Sequence, residues 1–173
     1  MEVIKLNQLN NYGVSERFFT EATLYPNYQL ARVIAQYRGK YKIVTEQGEM
    51  LAEISGKLRY DTEGLAQYPA VGDCVMVDIQ PELAVIHRVL TRKSLFVRKA
   101  VGVSGQAQPV AANVDIAFLC MSLNQNFSLN RMERYLSIAW DSGAVPVIVL
   151  TKSDLCDDLP QAVSQVENIS SFS

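Results

Sequence analysis

Val145 to Asp154 reads V-P-V-I-V-L-T-K-S-D. Val147 to Leu150 is a β-branched apolar run suited to a buried strand of a parallel sheet. The Thr-Lys-Ser-Asp turn that follows stands at the strand's carboxyl end, where open α/β sheets take their ligands. Two readings of the turn are open. In one, the carboxylate of Asp154 offers two acceptor oxygens side by side to the ring N–H and amino group of guanine, a pair that adenine lacks. Lys152 then lays its aliphatic stem along the base. In the other, Thr151 and Asp154 cap the next helix and Lys152 is a solvated turn residue. A four-residue pattern does not choose between them, so the surrounding chain has to.

Immediately upstream, Val114 to Leu123 (V-D-I-A-F-L-C-M-S-L) is a continuous apolar run that reads as a buried strand. Asn124 to Phe127 turn, Ser128 is a plausible N-cap, and Leu129, Met132, Leu136 and Ala139 share one helical face, with Gly143 placed as the C-terminal stop. Strand, helix, strand is a βαβ unit, whose strands are expected to lie parallel with a right-handed crossover. Leu159 to Ile169 begins a further helix.

Further back the period changes to two. L-A-R-V-I-A-Q-Y-R, K-Y-K-I-V-T-E, E-M-L-A-E-I-S, C-V-M-V-D-I and L-A-V-I-H-R-V-L read as five short strands, with a longer polar connection from Asp61 to Gln67 between the third and fourth. This pattern predicts a five-stranded barrel of the OB type, with an SH3-like barrel as the competitor. The fold class is therefore β followed by α/β. Residues 1–29 form an N-terminal extension in which Leu6, Leu9, Tyr12, Phe18 and Phe19 suit one or two short helices. Residues 30–100 form the barrel, 101–112, rich in Gly, Ser and Pro, a linker, and 113–173 the α/β part.

The net charge of -2 conceals an asymmetry: Ala31 to Lys99 holds eleven Lys/Arg against eight Asp/Glu, and Ala100 to Ser173 three against seven. Arg88, Arg92, Lys93, Arg98 and Lys99 follow one another without an intervening acid. On an OB barrel the second and third strands and their loops would present Tyr37, Arg38, Lys40, Tyr41, Lys42, Lys57, Arg59 and Tyr60. Cations among aromatics are what phosphate contact and base stacking need, so these residues are candidate RNA contacts. The alternatives are charged residues guarding strand edges and half-buried tyrosines.

His87 is the single histidine and has no cysteine near it in sequence, so it reads as a structural strand residue rather than a metal ligand. Cys74, Cys120 and Cys156, odd in number and far apart, suit reduced core residues of a cytoplasmic protein. The absence of a long apolar run predicts no membrane span.

A barrel followed by a βαβ unit ending in T-K-x-D resembles the circularly permuted, ribosome small-subunit-dependent GTPases of bacteria. The resembling runs are A-R-V-I-A-Q-Y-R-G-K-Y, P-A-V-G-D, H-R-V-L-T-R-K-S-L-F-V-R-K, V-A-A-N-V-D, S-L-N-x-N-F-S-L-N-R-M-E-R-Y-L and S-G-A-V-P-V-I-V-L-T-K-S-D-L. The resemblance implies an OB domain that docks on 16S rRNA of the 30S subunit, guanine contact by Thr151, Lys152 and Asp154, and hydrolysis of GTP to GDP with Mg²⁺ during late subunit maturation. It also implies that the phosphate loop, the switches and a zinc-bearing domain follow the guanine motif. These 173 residues contain no G-x-x-x-x-G-K-[ST], and no D-x-x-G follows the motif. The chain is therefore expected to be the front portion of such an enzyme and inactive alone. The other reading is a standalone OB-fold RNA-binding module.

Overall fold

The computed structural model describes residues 8–62, 64–99 and 107–170. The chain divides into two compact units, Met1–Asn113 and Val114–Ser173.

The first unit is built on β1 (Gln29–Tyr37), β2 (Lys40–Thr45), β3 (Gly48–Ile54), β4 (Cys74–Ile79) and β5 (Ala84–Val89). They close into a barrel in the order β1-β2-β3-β5-β4, with β3 and β5 parallel and the other pairs antiparallel. This is the OB arrangement that the strand spacing predicted, and it excludes the SH3-like alternative. Alternation fills the interior: Ala31 and Val33, Tyr41 and Ile43, Val75 and Val77, and Ala84 and Ile86 point inward around Ala52. Register shifts at Val33/Ala35 and Met76/Val77 mark bulges, the device by which strands bend enough to close.

The outer surface is covered as well. Helices α1 (Gln8–Asn11) and α2 (Glu16–Ala22) bury Leu9 and Phe18, with Val14 between them, against Val44, Cys74, Met76 and Leu90. A strand covered on both faces has no solvent side, which is why C-V-M-V in β4 shows no polar alternation. Residues 8–22 are thus part of the barrel unit's core; Leu6 lies outside the described residues. Between β3 and β4 the expected polar connection contains α3 (Gly56–Asp61), whose N-cap Ser55 accepts a hydrogen bond from the Leu58 amide, and a 3₁₀ turn over Leu65–Gln67.

The stretch read as a linker holds a strand. β7 (Ala107–Ala112) pairs antiparallel with β6 (Leu95–Lys99) across residues that lie outside the described set. Gly72 lets this hairpin reach the barrel. Its φ is +91°, and a Cβ there would stand 2.1 Å from the Ala112 carbonyl oxygen. Asn113, at φ 55°, donates from Nδ2 to the Gly72 carbonyl and accepts at Oδ1 from the Lys93 amide.

In the second unit β8 (Ile116–Ser122) and β9 (Val145–Thr151) pair in parallel through α4 (Leu129–Ser142). Met132, Leu136 and Ala139 are buried on α4 as their spacing predicted, and Gly143 ends the helix at φ 85°. Ser128 holds the N-cap position, but its hydroxyl makes no cap bond. α5 (Leu159–Ser170) follows β9. The two strands are not buried on both sides. Leu119, Met121, Ile148 and Leu150 pack under the helices, whereas Ile116, Phe118, Val145 and Val147 are exposed, Phe118 to 67%. Cys120 is likewise exposed, so of the three thiols Cys74 alone is a buried core residue. No helix among the described residues is long and apolar enough to cross a membrane.

Candidate functional site

The T-K-S-D turn is built by the ends of β8 and β9. The Leu123 amide donates to the Thr151 carbonyl at 2.8 Å, and the Thr151 hydroxyl donates to the Met121 carbonyl at 3.4 Å, so Thr151 ties the two strand ends together. Lys152 then takes the left-handed conformation, φ 56° and ψ 44°. A non-glycine residue there carries roughly 1–3 kcal/mol of strain, and such residues gather at binding sites. Its carbonyl accepts from the Leu155 amide as Ser153–Leu155 form a 3₁₀ turn.

The helix-capping alternative fails for Asp154. The side chain that bonds the first turn of α5 is Asp158, whose Oδ1 accepts from the Gln161 amide at 3.0 Å. Asp154 is exposed, and its carboxylate has no hydrogen bond or ion pair among the described residues. Both oxygens are available to a planar donor pair.

Beside the turn lies an open cavity of ≈ 740 Å³, lined by Leu123–Phe127, Leu155–Asp157 and Ala162. Asn124 shapes its rim, accepting at Oδ1 from the Ser122 hydroxyl and the Asn126 amide, both at 3.0 Å. Thr151, Lys152 and Asp154 are not among its lining residues. Sequence reasoning missed this loop as a site element, although its place after a parallel strand was the signal that could have found it. Among the described residues no group of three or more His, Cys, Asp or Glu side chains is gathered to hold a metal.

In the barrel unit the candidate RNA contacts divide. Arg38 and Lys40 flank Gly39 in the exposed β1–β2 turn, Lys57 and Arg59 are exposed on α3, Arg88 is exposed on β5, and Lys93 and Arg98 are exposed near and on β6. Tyr37 and Tyr60 are exposed too, Tyr60 to 90%. Lys42 is partly committed, its ammonium 2.5 Å from Glu49. That hydrogen-bonded pair raises the Lys42 pKa and lowers the Glu49 pKa. Arg98 donates to Gln108 at 3.2 Å, and the side chain of Lys99 lies outside the described residues.

Two expectations are corrected. Tyr41 is 6% exposed and sits in the barrel core, where burial raises its phenol pKa, so it offers no ring face to a base. Arg92 faces inward: it pairs with buried Asp73 and donates to the carbonyls of Ala66 and Tyr68 at 2.6 and 2.7 Å. Its guanidinium is used up by the fold.

A sequence model described as RsgA GTPase matches residues 89–172. Over 163 residues the chain is 42% identical to Small ribosomal subunit biogenesis GTPase RsgA 2 of Lactiplantibacillus plantarum, covering 94% of this chain and 46% of that protein. The chain is thus similar to the RsgA GTPases, whose sequence model matches its residues 89–172. It spans about half the length of that curated RsgA relative. Two solved structures share the fold: YloQ, described as a circularly permuted GTPase (TM-score 0.57, 22% identity, 84% of this chain and 46% of that one), and YjeQ from Thermotoga maritima (TM-score 0.61, 23% identity, 83% and 48%). The barrel and the βαβ unit thus share the fold of the matched parts of these two structures.

Proposed function

We propose that the chain is part of a GTP hydrolase that acts in late maturation of the small ribosomal subunit, supplying a guanine-selecting turn and a barrel that docks on 16S rRNA in the cytoplasm. The observation that carries this reading is the exposed, unpartnered carboxylate of Asp154 at the carboxyl end of a parallel strand. Guanine's N1–H and amino group donate to its two oxygens; adenine leaves both unsatisfied, which discriminates strongly where the site has no other way to pair. Thr151, bonded to Met121, fixes the turn from which Lys152 can cover the base. The curated relative's name, a small ribosomal subunit biogenesis GTPase, supports the assignment.

GTP with Mg²⁺ would supply the hydrolysable phosphoanhydride. The residues of this chain fit the base but not the phosphates, since the sequence has no phosphate loop to cradle them. Zinc, too, has no ligand set among the described residues. The 173-residue chain on its own therefore binds nucleotide weakly and does not turn over GTP. Titrating it with GDP and ADP while following backbone amide resonances tests this. Shifts at 151–157 with GDP alone, lost in Asp154→Ala, are expected; equal shifts with ADP, or multiple-turnover GTP hydrolysis by the chain, would refute it.

The second reading, an RNA-binding module without nucleotide chemistry, draws on the exposed Arg38, Lys40, Lys57 and Arg59 of the barrel unit. It predicts salt-sensitive cosedimentation with small subunits, weakened by changing Arg38, Lys40 and Lys42 together and untouched by Asp154→Ala.

A further inference from the structure

His87, the single histidine, has a ring partner far away in sequence: Tyr28 stacks on it with centroids 4.5 Å apart and planes 23° from parallel. The pair lines a cavity of ≈ 400 Å³ walled by Tyr25 and Tyr28 before β1, by His87–Val89 of β5, and by α3 with its flanks. That volume lies within the roughly 300–1,000 Å³ of small-ligand pockets. Arg88 reaches the same cavity and holds its guanidinium 5.0 Å from the centre of the Tyr25 ring. Lys57 enters from α3. Neither cation is in an ion pair among the described residues.

Tyr25, Tyr28 and His87 are each half-buried, so their rings are fixed by packing yet reachable. Asp61, Thr62 and Gln67 complete the wall with acceptors and donors. Among the described residues that line the cavity, two cations stand against one carboxylate. Aromatic faces, two cations and a few hydrogen-bonding groups form the set that holds one unpaired nucleotide, with the base on the rings and the phosphate at the cations. A peptide site would need no paired ring platform.

We propose that the cavity between α3 and β5 is a subsite for a single unpaired RNA nucleotide, its base set against the Tyr28–His87 pair and its phosphate held by Arg88 and Lys57. This rests on the reading of the barrel as an RNA-docking domain, and it adds a place away from the β1–β2 turn where one flipped-out residue is captured. Removing one stacking ring from such a site lowers affinity about 5- to 100-fold.

The test titrates the 173-residue protein with hexaadenylate, hexauridylate, 5′-AMP and an acidic hexapeptide, following the His87 ring protons, unique in the chain, and the Tyr28 ring. The oligonucleotides are expected to shift both rings. The double change Lys57→Gln with Arg88→Gln, on exposed residues, is expected to weaken that response at least about 5-fold. His87→Phe should retain binding and His87→Ala lose it; if His87→Ala unfolds, the Lys57/Arg88 pair of changes still decides. RNA shifts confined to the β1–β2 turn would overturn the subsite while leaving RNA docking intact, and no RNA response anywhere would overturn both. Equal affinity for 5′-AMP would assign the cavity to free nucleotides, and a response to the acidic peptide alone to a protein partner; either overturns the proposal.

Discussion

Arg92 and Asp73 meet in a two-bonded ion pair, Nε to Oδ1 at 2.8 Å and Nη2 to Oδ2 at 2.7 Å. Asp73 is fully buried, and its Oδ2 also accepts from the Ala70 amide at 2.8 Å. The pair fixes the entry to β4 against the chain that leaves β5. Removing one partner leaves a buried charge without its counter-ion, at a cost of about 3–5 kcal/mol. Arg92→Leu is therefore expected to lower the urea midpoint sharply. Lys40→Gln, at an exposed turn position, should change stability by no more than about 0.5 kcal/mol. Equal effects of the two changes would return Arg92 to the surface.

Gly72 and Gly39 both have positive φ, +91° and +78°, but only Gly72 is crowded. Gly39→Ala meets nothing within 4 Å and should cost only the left-handed penalty of about 1–2 kcal/mol. Gly72→Ala drives its Cβ into the Ala112 carbonyl, so about 3 kcal/mol or more is expected, with the β6–β7 hairpin released from the barrel. Amide exchange at Ala112, which bonds the Val71 carbonyl, reports that release directly.

The thiols should separate by reactivity. Burial pushes the Cys74 pKa up to about 12 from its ordinary 9.0, whereas Cys120 is exposed. A disulfide reagent at mildly alkaline pH is expected to label Cys120 at once and Cys74 only on unfolding. Between about pH 9 and 12 the unfolded thiol releases a proton that the native one keeps, so this group withdraws stability as pH rises through that window. Unfolding of Cys74→Ala followed across it should show a shallower alkaline decline than the parent.

The exposed face of β8 and β9 sets the behaviour of the isolated chain in solution. Ile116, Phe118, Val145 and Val147 form a contiguous apolar strip on two strands with open edges. Concentration-dependent self-association is expected in sedimentation experiments, and Phe118→Lys should suppress it. A monodisperse monomer at high concentration would mean that the strip is covered in some other way.

What was legible in the sequence followed from local period. Alternation gave the five barrel strands, and the 3,4,3 spacing of Leu129, Met132, Leu136 and Ala139 with Gly143 gave α4 and its stop. Direction and distant pairing were not legible. Tyr41 and Arg92 have the right chemistry for RNA contact, but only the closed barrel determines that one fills its core and the other neutralises Asp73. The β6–β7 hairpin escaped because its strands are short, bulged at Phe96/Val97 and held by contacts to Gly72 and Val71 far back in the chain. For Asp154 the four-residue turn by itself left both capping and base recognition open. The bond from Gln161 to Asp158 removed the first option by assigning the cap to a different residue.

The proposed guanine-selecting role of Asp154 is tested most directly by exchanging the donor–acceptor pattern of both partners. Xanthine carries a carbonyl where guanine carries its amino group, so an asparagine amide can accept from its N1–H and donate to that carbonyl. Asp154→Asn in the 173-residue protein is expected to move the 151–157 amide response from GDP to xanthosine diphosphate, with ADP silent throughout. An unchanged preference for GDP in Asp154→Asn, or the same response to all three nucleotides, would contradict it.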